Sequence, residues 1–457
     1  MIQRILTDAS TTRRREPWTF PREGAALFAV ALLLRVAYTW LAMGPDAVPS
    51  SDAQSYDTVA WNLARGGGFM LESAAGPYPT AFVPPALPYA VSLLYRVAGH
   101  QFFAALILQC MFGALVPLLV RGLGDSLFGG HVGRTAGWLA AVHPLLVFFS
   151  GYLLTESLFC VTLLLALLVS AEWVKTPRRG RALGAGLLWG VAALTRPTAL
   201  PLPLLVALWS WWPLGLIVGG RERVLQLAML ALGVVLVVAP WTARNAVEFR
   251  AFIPVTTGGG RSLLDANNPI VWDDPQLQGG ATSVYALEPY ASRFKGRSEH
   301  EIDKLSADLA RSFMAERAAQ YPAMALKKLG RFWRLSAEGG STGHWGRSDS
   351  PFARVIGVID PLLLWSLVTF PFALLGLGAS VRGARRLYQS LPLLVIAAFT
   401  LGAVVYWGAL RMRVPVEPLI VVYAAAGIEL VRREVRVRRS PLRMVPTRTV
   451  DGRTNER

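Results

Sequence analysis

The sequence predicts an all-α polytopic membrane protein with about ten transmembrane helices, juxtamembrane helices and an outer, mostly helical domain. Three observations predict this fold class. Of the 457 residues, 53% are hydrophobic and only 16% are charged, whereas soluble domains carry about a quarter charged residues. The apolar residues fall in long runs, as membrane-spanning helices require. The basic residues cluster in alternate connecting segments, as the positive-inside rule predicts for a multi-pass chain.

Ten apolar runs match the length of a membrane-crossing helix, which needs about 20 residues. They lie at 24–43, 101–120, 135–150, 156–174, 183–196, 198–216, 224–241, 355–378, 391–409 and 415–431. The fifth and sixth runs follow each other tightly and predict a hairpin bent near Arg196-Pro197. The apolar segment 86–98 is predicted to be an interfacial or re-entrant helix, because a further span there would reverse the charge asymmetry of every later segment.

The distribution of charge predicts that both termini are cytoplasmic. With that orientation, the inner segments hold more than half of the 46 Lys and Arg residues, and the short outer turns hold almost none. The net charge of +17 is therefore interpreted as a topology signal that also binds anionic lipids, and no nucleic-acid partner is expected. Residues 1–43 are predicted to be an uncleaved first span, because the apolar run is long for a signal peptide and nine further spans follow it.

This topology divides the chain into five segments. They are a cytoplasmic basic tail (1–23), a transmembrane module for the catalytic residues (24–241, with a first outer loop at 44–100), an outer domain (242–354), C-terminal transmembrane helices (355–431) and a second cytoplasmic basic tail (432–457). In the outer domain, Ser298 and Glu301 predict a capping box that begins a helix. A second amphipathic helix at 323–335 is expected at the membrane surface.

Metal and disulfide chemistry are not expected. Cys110 and Cys160 both lie inside apolar runs and are interpreted as small buried hydrophobic residues. The five histidines lack the spacing of metal ligands. We therefore predict a metal-independent protein without a cofactor.

Two carboxylates lie at the outer ends of predicted spans. Asp52 follows the first span and precedes a short predicted helix, in which Tyr56 lies one turn later on the same face. Glu156 lies between the third and fourth spans. The alternatives are an N-cap role for Ser51 or Asp52 and a helix-dipole role for Glu156. Because an acid at a membrane boundary is a functional candidate, we predict that the two carboxylates share one cavity.

Five arginines lie where basic residues should be scarce, namely Arg35, Arg196, Arg244, Arg411 and Arg413. Each needs an anionic partner or water. Internal pairs of Arg35 with Glu156 and of Arg413 with Glu417 would satisfy two of them. The others fit a phosphate site, since guanidinium binds phosphate bidentately.

The run Gly258-Gly259-Gly260-Arg261 adds a loop whose backbone amides could approach a phosphate. A plain turn fits the same residues. We take Arg261, together with Tyr56, as a candidate residue of the substrate cavity.

Several short stretches follow one another in an order and sidedness that resemble a known family. They are Ser51-Asp52-Ala53-Gln54-Ser55-Tyr56, Ala60-Trp61-Asn62-Leu63-Ala64-Arg65-Gly66-Gly67-Gly68-Phe69, Pro84-Pro85-Ala86-Leu87-Pro88, Thr155-Glu156-Ser157-Leu158-Phe159, Leu194-Thr195-Arg196-Pro197, Pro240-Trp241-Thr242-Ala243-Arg244-Asn245 and Arg411-Met412-Arg413-Val414-Pro415. Over about residues 24–430 the chain resembles bacterial GT-C glycosyltransferases that use a phospholipid carrier. These are the protein O-mannosyltransferases, the lipid A aminoarabinose transferases and the rhizobial lipopolysaccharide galacturonosyltransferases.

The resemblance implies a bacterial inner-membrane enzyme whose active site faces the periplasm. It implies that Asp52 is the catalytic acid/base and that a polyprenyl-phosphate-linked sugar is the donor. The acceptor would be a cell-envelope glycan, lipid or protein, and membrane lipids would surround the chain. The second acidic position, often Asp in relatives, is Glu156 here. Asp52 would take the acceptor proton, and arginines such as Arg196, Arg244 and Arg413 would stabilise the phosphate that leaves, with inversion.

Other functional classes remain open. A transporter or flippase of polyprenyl-linked sugars would also need outer arginines and a lipid-facing cleft, but it would usually show inverted repeats, and none is evident. A sugar-polymer ligase that uses the same lipids, and an assembly scaffold, are further alternatives. The sequence identifies neither the sugar nor the acceptor.

Overall fold

The computed structural model describes residues 22–74, 76–335, 361–382 and 386–439. Helices dominate these residues, which confirms the predicted fold class. In chain order the elements are α1 (Arg22–Ala42), α2 (Asp52–Ala64), β1 (Met70–Ser73), β2 (Gly76–Pro79), α3 (Ala86–Ala98), α4 (Phe102–Phe128), α5 (Gly130–Ala141), α6 (Pro144–Ser150), α7 (Glu156–Lys175), α8 (Arg179–Thr195), α9 (Leu202–Gly215), α10 (Gly220–Phe249), α11 (Gly259–Ala266), α12 (Pro269–Asp273), α13 (Tyr290–Phe294), α14 (Glu299–Glu316), α15 (Tyr321–Trp333), α16 (Pro361–Arg382), α17 (Arg386–Gln389), α18 (Leu391–Val405), α19 (Leu410–Arg413) and α20 (Glu417–Arg439). Most of the predicted basic tails, and residues 336–360, lie outside the described residues.

The chain is a multi-pass membrane protein, although ten spans is an approximate count. Within the described ranges, six helical stretches are long and apolar enough to cross a membrane: α1, α4, α7, α10, α16 and Leu387–Val405. A seventh results if α5 and α6, bent by 53° at their junction, count as one span. The predicted fifth and sixth spans are the shorter helices α8 and α9, with 17 and 14 residues. The predicted tenth lies in α20, whose C-terminal part is rich in Arg and Glu.

Helix α7 is the most buried span, with 72% of its apolar window inside the protein, and it packs mainly against α4 and α8. Glycines bring two helix pairs into close contact. A Cβ atom at Gly186 in α8 would lie 2.1 Å from the carbonyl oxygen of Leu230 in α10, and one at Gly376 in α16 would lie 2.0 Å from that of Tyr423 in α20. Small residues of this kind let helices pack closely in lipid. Close packing matters there because moving an apolar side chain from lipid into protein provides no hydrophobic driving force.

A cap covers one end of this bundle; we use the name for residues 44–74, 76–100 and 250–335. Glu299, the first residue of α14, joins its two parts. The Glu299 carboxylate accepts hydrogen bonds from Thr80 Oγ1 at 2.7 Å, from the Ala81 amide at 2.9 Å and from Thr257 Oγ1 at 2.5 Å. The predicted capping box at the preceding residue, Ser298, is confirmed. The first and second loops therefore form one unit above the bundle.

Helix α15, predicted to lie at the membrane surface, buries part of its basic face in protein. Lys328, in its middle, is completely buried, and its Nζ donates to Asn267 Oδ1 at 2.8 Å and to the Val405 carbonyl at 3.2 Å. Burial lowers the pKa of Lys328 to about 7. The helix thus packs between the rest of the cap and the end of α18, and the Lys328 side chain faces protein.

Candidate active site

Asp52 lies at the first residue of α2, where the cap meets the bundle. Ser51 before it has a φ of 52° and makes no side-chain capping bond. Positive φ is costly for a residue with a side chain and often marks a functional site. The Asp52 Oδ2 atom pairs with Arg411 Nη1, and the Asp52 side chain is 47% exposed. Ser51 thus occupies the N-cap position of α2 without capping it through its side chain, and the Asp52 side chain is engaged by Arg411 instead.

Glu156 begins α7 and is fully buried. Its Oε1 atom accepts hydrogen bonds from Arg411 Nε at 2.5 Å and from Arg196 Nη1 at 3.1 Å. Its Oε2 atom is buried and has no hydrogen-bond partner among the described residues. One carboxylate oxygen thus holds two guanidinium groups, and the other remains an unused acceptor.

Asp52, Glu156, Arg196 and Arg411 form what we call the four-residue cluster. Asp52 belongs to α2 and Glu156 to α7. Arg196 lies in the bend that follows α8, and Arg411 belongs to α19. Two carboxylates and two guanidinium groups make the cluster electrically neutral. The exposed fraction of the side chains rises from 0% for Glu156 through 9% for Arg196 to 34% for Arg411 and 47% for Asp52. The cluster therefore extends from the protein interior to an open end that carries Asp52.

Tyr56 lies one turn after Asp52, is buried, and is close enough to interact electrostatically with the cluster. Burial raises the pKa of the Tyr56 phenol; Arg411 opposes this effect, and Glu156 and Asp52 add to it. Tyr56 therefore lies beside the cluster as a buried, uncharged side chain.

Arg413 belongs to a different group of residues. Its Nε donates to Glu417 Oε1 at 2.5 Å, which confirms the predicted i,i+4 pair. Glu417 Oε2 lies 3.1 Å from His143 Nε2, and the Arg413 guanidinium lies 5.5 Å from the centre of the Phe370 ring. Arg413, Glu417 and His143 are all buried. The short helix α19 therefore directs Arg411 into the four-residue cluster and Arg413 away from it.

Arg35 is also apart from the cluster. It is completely buried in α1, and its Nη1 donates to the carbonyl oxygens of Ala31 at 2.9 Å and Ala141 at 3.1 Å. The predicted pair of Arg35 with Glu156 is wrong, since Glu156 takes Arg196 and Arg411 instead. Arg35 ties α1 to the end of α5.

Arg244 fastens the first loop to α10. Its Nη1 donates to the Thr80 carbonyl at 2.8 Å and its Nη2 to the Phe69 carbonyl at 3.2 Å. The guanidinium also lies 5.0 Å from the centre of the Trp241 ring. These contacts engage the side chain with the residues that flank the β hairpin, and the structure does not bring it together with Asp52.

The glycine-rich loop is already occupied by a carboxylate. Asp303 Oδ1 accepts hydrogen bonds from the amides of Gly260 at 2.8 Å and Arg261 at 3.0 Å. The Arg261 side chain lies over the rings of Phe82 and Tyr285, at 5.2 and 5.1 Å. The amides that would have approached a phosphate thus bind Asp303 at the start of α11, and Arg261 lies within the cap.

Two supports of the site escaped the sequence analysis. The buried carboxylate of Asp57 in α2 accepts a hydrogen bond from Tyr95 Oη at 2.5 Å, and its other oxygen lies 2.9 Å from His100 Nε2. Gln109 in α4 donates to the Leu154 carbonyl at 2.6 Å, two residues before Glu156. The first contact holds the helix of Asp52 against α3, and the second holds the turn that leads to Glu156. The polar Gln109 inside an apolar run is the one sequence signal that could have indicated the second contact.

Within the ranges that the structure describes, no group of three or more His, Cys, Asp or Glu side chains lies together. The four-residue cluster contributes two carboxylates, and both are engaged by arginines. Metal independence stays a prediction.

Comparison with known proteins supports the fold. Residues 83–242, roughly a third of the chain, match the family profile of dolichyl-phosphate-mannose-protein mannosyltransferases. No curated protein sequence matches the chain.

Among solved structures, the archaeal oligosaccharyltransferase AglB from Archaeoglobus fulgidus, in complex with an inhibitory peptide and a dolichol-phosphate, has a TM-score of 0.57 and 15% identity; the match covers 94% of this chain and 53% of that one. The apo form of the Archaeoglobus fulgidus oligosaccharyltransferase has a TM-score of 0.55 and 15% identity; the match covers 93% of this chain and 52% of that one. ArnT from Cupriavidus metallidurans bound to undecaprenyl phosphate has a TM-score of 0.44 and 15% identity; the match covers 90% of this chain and 79% of that one. The chain spans about half the length of the oligosaccharyltransferase chains, and it shares their GT-C fold.

Proposed function

We propose that this chain is an inverting membrane glycosyltransferase that moves a sugar from a polyprenyl-phosphate carrier to an acceptor hydroxyl. The observation that carries the proposal is the four-residue cluster on a GT-C fold, with a half-exposed carboxylate directly beside a guanidinium. The family profile across residues 83–242 supports the sugar-transfer chemistry. The acceptor would be a cell-envelope glycan, lipid or protein at the periplasmic face of a bacterial inner membrane.

The chemistry follows from the placement of charge. Asp52, as general base, accepts the proton of the acceptor hydroxyl while that oxygen bonds to the anomeric carbon. The bond from this carbon to the phosphate oxygen breaks, and its electron pair stays on the phosphate. Arg411 and Arg196 stabilise the charge that grows there. One displacement from the opposite face inverts the anomeric centre.

Several earlier candidates have a supporting role in this proposal. Arg244, Arg413 and Arg35 hold the first loop, α20 and α1 in place by the contacts described above, so we assign donor phosphate binding to Arg411 and Arg196. We keep Glu156 as the anchor of both arginines. Metal independence is part of the proposal.

The test is turnover of purified protein in lipid with a panel of labelled polyprenyl-phosphate sugars and envelope acceptors. Transfer of label to an acceptor that depends on one donor supports the proposal and names that donor. Movement of the labelled lipid between leaflets without cleavage of the sugar bond would contradict it and favour a flippase.

A further inference from the structure

One guanidinium serves both carboxylates of the four-residue cluster. Arg411 donates Nε to Glu156 Oε1 at 2.5 Å and Nη1 to Asp52 Oδ2. Its third nitrogen, Nη2, has no hydrogen bond to a described residue. Glu156 is inaccessible to solvent, whereas the Asp52 side chain is 47% exposed. Arg411 thus has a buried partner that fixes it and an open partner that faces the solvent.

These two pairs differ in strength because of burial. A partly exposed ion pair is screened by water and contributes little, while the loss of one partner from a buried pair is strongly destabilising. An anion that enters the open end would therefore replace Asp52 on Arg411 before it replaced Glu156. Phosphate competes well for this position, because guanidinium binds it bidentately through charge-assisted hydrogen bonds.

The pairing also restricts Asp52. Its Oδ2 atom is engaged by Arg411, so this oxygen cannot accept a hydroxyl proton in the same arrangement. In this arrangement Oδ1 is the one Asp52 oxygen left to accept a proton, and Arg411 Nη1 is withheld from phosphate.

We infer that the phosphate of the donor lipid displaces Asp52 from Arg411, so that donor binding itself frees the base. The inference rests on the proposed function. Glu156 keeps Arg411 in place during the exchange, and Nη1 and Nη2 turn from carboxylate to phosphate. Both oxygens of the Asp52 carboxylate are then free of Arg411 only when a donor occupies the site.

The experiment measures binding of polyprenyl phosphate without a sugar to the full chain in lipid nanodiscs. Asp52→Asn removes the competing charge while keeping the shape of the side chain. We expect it to bind the lipid phosphate about two- to five-fold more tightly than wild type, as expected for loss of one partly exposed ion pair. Asp46→Asn, an equal change of charge at an exposed residue of the same loop, should bind as wild type does. Arg411→Gln should bind more weakly.

The outcomes separate the two proposals. Wild-type binding that Asp52→Asn leaves unchanged or weakens would overturn the exchange while leaving the proposed function in place. Wild type that binds polyprenyl phosphate no better than a bulk phospholipid would overturn both. Asp52→Ala removes the same charge and repeats the test without the hydrogen bonds that an Asn side chain could form. Helix content by circular dichroism checks that each variant is folded.

Discussion

Glu156→Gln is expected to damage stability more than any other single change in the four-residue cluster. The substitution keeps the volume of the side chain and removes the charge that two guanidinium groups share. Arg196, with 9% of its side chain exposed, then loses its charged partner, while Arg411 keeps Asp52 and partial exposure. Removal of one partner from a buried ion pair costs about 3–5 kcal/mol. Because Gln still accepts one hydrogen bond, we expect a loss at the lower end, about 3 kcal/mol.

Asp52→Asn provides the contrast, since its ion pair is partly exposed and should contribute about 1 kcal/mol or less. The assay is equilibrium unfolding in mixed micelles of a mild detergent and dodecyl sulfate, followed by helix circular dichroism. Glu434→Gln is the matched control, because it breaks an exposed i,i+4 pair with Arg438 at 3.1 Å. An unfolding free energy of Glu156→Gln within 1 kcal/mol of wild type would refute the view that Glu156 anchors the arginines.

Three further predictions follow from other parts of the structure. Lys328 has a folded-state pKa of about 7 against an ordinary value of 10.5; between these values the unfolded state binds more protons, so wild-type stability should rise with pH there. Lys328→Met should lack this rise in the free energy of unfolding between pH 7 and 9.5. An equal rise in wild type and Lys328→Met would contradict the lowered pKa of Lys328. Arg244→Lys should increase proteolysis of the first loop, because one ammonium group cannot reach the carbonyls of both Phe69 and Thr80 as the guanidinium does. Polyprenyl-phosphate binding should change by less than about two-fold. A loss of binding while the loop stays resistant to proteolysis would show instead that Arg244 binds the phosphate. Transfer activity should survive EDTA, and a loss restored by one divalent cation would show that the protein needs a metal.

The sequence predicted the positions at which the site begins but not the partners that complete it. Asp52 and Glu156 both follow directly on local signals, namely the end of one apolar run and the start of another. Their shared partner, Arg411, is 359 residues from Asp52 and 255 from Glu156. Local periodicity carries no information about such a distance, so Arg35 was wrongly paired with Glu156. Arg413 with Glu417 was predicted correctly because that pair lies within one helical turn.

The fold shows the same division between local and non-local information. Apolar runs located α1, α7 and the start of α4 to within two residues, although α4 continues to Phe128, past the predicted end at 120. The bend at Arg196-Pro197 separates α8 from α9. The amphipathic pattern of α15 indicated an apolar face without telling whether lipid or protein covers it. Met324 and Phe332 are buried in protein and Leu326 is 70% exposed, so protein covers part of the apolar face. The ten predicted spans exceed the six or seven long ones because α8 and α9 are short and α20 carries many Arg and Glu residues.

The most direct test of the central claim is the rate of sugar transfer from the active polyprenyl-phosphate donor by wild type and by Asp52→Asn, measured on protein that still binds the lipid phosphate. Loss of a general base lowers the rate by about 100- to 10,000-fold, and this is the result we predict, with Asp46→Asn transferring at the wild-type rate. Folded Asp52→Asn protein that transfers sugar as fast as wild type would contradict the assignment of Asp52 as the base.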